Sequence, residues 1–140
     1  MEVSARQLFM GFLAGAIAVV TAHEAINYVL LQQGLFPRVP WSMEPAAVTG
    51  VPQIVSAMFW GGVWGSVFAL AMGHRNSLLN GVLFGVLGPA LLGVFIAVPL
   101  LTGRFPMFFG GDAKMIGSVM LILAGWGAAT AWLYGKLASR

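Results

Sequence analysis

The chain contains no cysteine and very little charge. The first absence excludes disulfides, thiolate nucleophiles, iron–sulfur ligation and Cys-based zinc sites, and it leaves the redox compartment open. The second sets the class. Only 8% of the 140 residues are charged, whereas a soluble domain carries roughly 25%. Such a chain lacks the polar side chains to cover a water-facing surface, so most of its solvent is lipid. Seven Lys/Arg and four Asp/Glu are scattered singly. The formal net charge of +3 therefore reflects a shortage of ionisable groups, and neither a nucleic-acid footprint nor a charged disordered tail is indicated.

Catalytic constellations are missing as well. "HEAIN", which begins at His23, lacks the second histidine of a zinc-protease helix, and "FGGD" lacks the Lys-Ser/Thr of a phosphate loop. No Ser/His/Asp order is present. One His beside one Glu makes at most an incomplete metal site, so no metal, cofactor or enzymatic activity is expected.

What the sequence has in abundance is apolar length. Hydrophobic residues make up 59% of the chain and the mean hydropathy is +0.90. Crossing a hydrocarbon core takes about 20 apolar residues in a helix. Four stretches qualify, at about 8–31, 53–73, 78–101 and 115–134. Backbone groups in lipid must be satisfied within the segment, so the spans are helical. The alternating ten-residue stretches of a membrane β-barrel do not occur. The expected fold is all-α, a single-domain integral membrane bundle of four transmembrane helices arranged as two αα hairpins. The polar lead "MEVSARQ" resembles the start of a signal peptide, but the apolar run behind it is too long, so an uncleaved first helix is expected.

The breaks between spans carry further information. "HRNS" is a tight joint that makes helices two and three antiparallel neighbours. The loop 34–52 holds Pro37, Pro40, Pro45 and Pro52, which predicts an ordered, semi-rigid connection. Trp41 and "RFPMFF" place aromatic rings where a membrane–water interface belongs. "LLQQGLFPR" and "LLTGRFP" echo each other after helices one and three. The echo fits a duplicated hairpin, and it equally fits two helix ends with the same stop signals. Arg6, Arg75, Lys136 and Arg140 fall on the side of the termini; Arg38, Arg104 and Lys114 fall on the other. The positive-inside rule then points both termini to the cytoplasm.

Nineteen glycines are a packing signal in lipid, where small residues let backbones approach. Small residues at four-residue spacing occur at Gly11/Gly15, Gly61/Gly65 and Gly81/Gly85. The densest run, "FWGGVWGS", makes a groove of Gly61, Gly62 and Gly65 flanked by Trp60 and Trp64, which would seat a neighbouring helix or, alternatively, a lipid, quinone or pigment. Gly88 and Pro89 mark a mid-span kink.

The costly residues cluster in helix one. His23, Glu24 and Asn27, with Tyr28 on the Glu24 stripe, stand in an otherwise apolar segment, about 10 Å from the helix end. A buried acid there costs roughly 2.5–3.5 kcal/mol. Three readings follow. The cluster pins helix one to Arg38 and the loop, or Glu24 binds a proton or cation on a transport path, or the cluster meets another subunit or a cofactor.

Together, "FPRVPWSMEP" and "GVPQIVSAMFWGGVWG" with the two hairpins resemble small four-helix membrane proteins of bacteria whose function is uncharacterised. That resemblance implies a bacterial inner-membrane location. The chain is similar to small multidrug resistance exporters in architecture only, with four helices and a glutamate in the first. The expected role is non-enzymatic, as an accessory or assembly subunit of a larger inner-membrane complex or as a homo-oligomer. Its partners would be the lipid bilayer and other membrane subunits or further copies of itself, with no nucleic acid. The alternative is a small oligomeric transporter or channel with its ion-coupled carboxylate at Glu24.

Overall fold

A computed structural model describes residues 2–139. Four long helices account for most of them: α1 (Ala5–Gln32), α2 (Gln53–Arg75), α3 (Leu78–Thr102) and α4 (Ala113–Ala138). All four are long and apolar enough to cross a bilayer, and no strand forms among the described residues. The chain is an all-α, multi-pass membrane protein.

Helix ends follow local chemistry. Ser4 caps α1 through a reciprocal pair with Gln7, Ser77 caps α3 by accepting from the Asn80 N–H, and Asp112 caps α4 by accepting from Lys114 and Met115. Gly34 and Gly103 end α1 and α3 in the left-handed region, at φ 71° and 64°, where a side chain would be strained. Two helices are locally widened. α1 opens into a π turn over Val19–His23, and α3 does so over Val86–Ala97, the stretch that holds Gly88 and Pro89. Proline removes one ladder bond and crowds the preceding turn, and the wider winding accommodates it.

The helices pack as two hairpins, α1 on α2 and α3 on α4. In the first, Gly11 and Gly15 lie against the backbones of Gly65 and Gly61. In the second, Gly81 and Gly85 lie against Gly127 and Leu123. A Cβ on any of these four leading glycines would run into a carbonyl of the facing helix. The closeness is bought by glycine alone, as lipid-embedded packing requires.

The two contacts are one pattern used twice. The same interval separates Gly11 from Gly81, Gly15 from Gly85 and Leu30 from Leu100. On the partner helices a second common interval separates Ser56 from Ser118, Trp64 from Trp126, Gly65 from Gly127 and Ala69 from Ala131. Ala69 and Ala131 also touch matching places, beside Gly11 and Gly81. The Leu-Leu of the echo between the two loop-side helix ends keeps the first interval, while its Gly and Phe-Pro fall one residue short of it.

Between hairpins the joint at residues 73–77 does bring α2 and α3 together, but through rings. Phe84 meets Trp64 and Phe68 edge-on, with centroids at 6.1 and 5.4 Å. α1 and α4 are joined by Trp126, which is 1% exposed and donates its indole N–H to the Gly15 carbonyl at 3.0 Å.

Candidate functional site: a buried carboxylate under a folded-back loop

The depth of the helix-one cluster follows from the glycine register. Because Gly15 faces Gly61 in an antiparallel pair, Gln53 at the start of α2 stands level with His23. The last two turns of α1 therefore rise beyond the four-helix section, and the loop that follows descends beside them. Its lowest point is Trp41, whose indole N–H reaches the Val20 carbonyl at 2.9 Å. The loop backbone therefore reaches the level of Glu24 and Val20 beside α1. From there to the Ser4 cap of α1 is about 20 residues, or about 30 Å, one hydrocarbon thickness. Glu24 thus lies beside a loop that folds back along α1 and supplies its partners, a contact that the hydropathy of the span does not reveal.

Those partners are complete. The Glu24 side chain has no exposure. Its Oε1 accepts from Arg38 Nη1 at 2.9 Å and lies 3.0 Å from His23 Nδ1. Its Oε2 accepts from the same Arg38 nitrogen at 3.0 Å and from the Trp41 backbone N–H at 2.8 Å. The imidazole proton is placed on Nδ1 because only that tautomer donates to the carboxylate. Asn27, also fully buried, completes the ring. With its amide oxygen turned to the guanidinium it accepts from Nη1 at 2.7 Å, and its nitrogen donates to the Arg38 carbonyl at 3.2 Å. The last turns of α1 and the loop that follows are thus held together around one ion pair.

The pair also holds a strained backbone. Trp41 has φ 51°, a left-handed conformation that costs a bulky residue on the order of 1 kcal/mol or more. It is fixed from both sides, by its N–H on Glu24 and its indole on Val20. Ser42 and Glu44 then accept from Ile54 and Gln53 through their carbonyls, tying the loop to the first turn of α2.

Of the four residues marked in the sequence, the structure brings His23, Glu24 and Asn27 together and leaves Tyr28 out. Tyr28 is 49% exposed, with its ring 6.4 Å from that of Trp41, a pair of interfacial aromatics. Among the described residues no group of three His, Cys, Asp or Glu is close enough to hold a metal. A carboxylate offers about four lone-pair directions. All four here face protein donors, so Glu24 takes up an ion only by giving up one of them.

The glycine groove is occupied by the chain itself. Gly61 and Gly65 seat α1, and Gly62 lies under the Phe12 ring. Trp64 turns toward α3, where its ring lies against Gly88 and Gly93. Trp60 points away from the groove, 56% exposed and edge-on to Phe59 at 5.3 Å. Gly88 and Pro89 are buried within the widened turn of α3.

Sequence reasoning passed over Trp126, the largest fully buried side chain. The signal was there: in "AGWGAA" it precedes Gly127 as Trp64 precedes Gly65. In the second hairpin the positions equivalent to His23, Glu24 and Asn27 are Gly93, Val94 and Ala97. There the loop is held by rings instead, Phe108 stacked on Phe95 at 5.3 Å and Phe109 on Phe105 at 4.7 Å. No family model, curated protein or solved structure matches the chain.

Proposed function

We propose that the protein is a non-enzymatic accessory or assembly subunit of a larger complex in a bacterial inner membrane, or the repeated unit of a homo-oligomer, with both termini in the cytoplasm. The observation that carries this reading is the loop. Val39, Met43 and Val48 are 61, 69 and 74% exposed, yet they stand on a segment held rigidly by the Glu24–Arg38 pair and by α2. A fixed apolar surface beyond the four-helix section offers a preformed contact for a second membrane subunit. The complete internal engagement of Glu24 supports the structural role over an ion-coupled one.

Orientation follows from charge. By sequence, four Lys/Arg flank the spans on the side of the termini and three, Arg38, Arg104 and Lys114, on the side of the loops. The excess of Lys and Arg on the terminal side favours the cytoplasm there.

Extraction of the tagged protein from its native host in a mild detergent tests the proposal. A stoichiometric larger complex or a defined homo-oligomer is expected, and Val48→Asp with Met43→Asp should release it. A monodisperse monomer from the same membranes would refute the subunit role.

A further inference from the structure

Where α4 ends against the joint between hairpins, a groove of about 350 Å³ opens at the terminal face of the bundle, lined by Asn76, Ser77, Trp132, Lys136 and Ser139. We propose that this groove binds the phosphate headgroup of an anionic phospholipid. Four features fit that ligand.

The first is charge. The Lys136 ammonium stands 5.7 Å from the centroid of the exposed Trp132 ring, and the described ion pairs at the other end of the molecule leave it without a carboxylate. The second is donor supply. Ser77 Oγ accepts from the Asn80 N–H at 3.0 Å, which leaves its own proton free to donate. Asn76 spends one amide hydrogen on the Ala131 carbonyl at 2.9 Å and keeps the other. The third is depth. The groove is level with the last turns of α4, one hydrocarbon thickness from the folded-back loop, where headgroups lie. Trp132 is 57% exposed and is placed as interfacial tryptophans are. The fourth is continuity with lipid. Leu78 and Leu79, 56 and 67% exposed, begin an apolar face at the groove's edge along which acyl chains would run. Lining of this kind, basic and polar between transmembrane helices, suits anionic headgroups.

The site is built by Gly135. A side chain there would meet the Asn76 amide, so glycine is what lets Asn76 cross to α4 and close the groove.

The test uses the full-length protein in detergent, with retained lipid counted by native mass spectrometry. Phosphatidylglycerol should be kept in preference to phosphatidylcholine. Lys136→Gln should weaken that retention about fivefold, the effect of one basic residue at an anionic surface. Arg75→Gln removes the same charge from the same face, does not line the groove, and should leave retention unchanged. Equal losses in the two variants would overturn the site in favour of a diffuse positive face. Equal retention of the two lipids would overturn the headgroup assignment. Displacement of the lipid by inorganic phosphate would reassign the groove to a soluble anion.

Discussion

Replacing Arg38 by methionine keeps most of the aliphatic stem and deletes the charge that Glu24 depends on. Glu24 has no exposure, whereas Arg38 is 27% exposed, so the two partners are not equivalent. Stranding a buried charge by removing its partner costs about 3–5 kcal/mol. Arg38→Met leaves the carboxylate with the Trp41 N–H and His23 and should fall in that range. Glu24→Gln keeps an oxygen for Arg38 and Trp41 and leaves the guanidinium at a wet edge, so the loss is of charge assistance only, about 1–2 kcal/mol. With both replaced, no charge is stranded, and the double variant should be less destabilised than the sum of the singles by about 2 kcal/mol. The assay is unfolding in mixed micelles by increasing SDS, followed by far-UV circular dichroism, with limited proteolysis of residues 34–52 reporting the loop. Equal losses in the two single variants, or strict additivity in the double, would show that Glu24 and Arg38 are not the coupled, unequally buried pair described above.

The glycine contacts give a sharper contrast. Gly15→Ala and Gly85→Ala should each cost about 2–3 kcal/mol in the same titration, because the added carbon meets backbone that cannot yield. Gly117→Ala, which points into open space, should gain up to about 1 kcal/mol from helix propensity; a loss there would contradict the packing. Trp126→Phe should cost about 1–3 kcal/mol, from the bond to the Gly15 carbonyl and the lost ring volume. The buried Thr130 hydroxyl finds no partner among the described residues, so Thr130→Val should be neutral or stabilise by about 1 kcal/mol. A clear loss in Thr130→Val would reveal a partner for that hydroxyl.

Hydropathy made the four helices legible, because a bilayer imposes a length and an apolar content that few other environments require. The pairing of faces was less legible. Glycines at four-residue spacing recur on three of the four helices, and nothing in "FWGGVWGS" says that Gly61 and Gly65 receive α1 while Trp64 turns to α3. Arg38 stood out as a partner for Glu24 because it is the first cation after an acid in an apolar span. The way the loop seats that pair did not stand out. It depends on Trp41 entering the left-handed region and reaching Val20, a tertiary choice with no local signature beyond the surrounding prolines. Tyr28 was grouped with Glu24 on an ideal helical stripe. In the folded chain Glu24 shares Arg38 with Asn27, three residues on, while Tyr28 faces outward to Trp41.

Every group that neutralises Glu24 lies between His23 and Trp41. In a chain made from its N-terminus, the acid in the first span therefore finds its counter-charge in the segment that directly follows it, ahead of the second hairpin. The membrane never has to shelter an unpaired carboxylate while distant sequence is awaited. The second hairpin, which buries no charged side chain among the described residues, joins a unit whose acid is already paired.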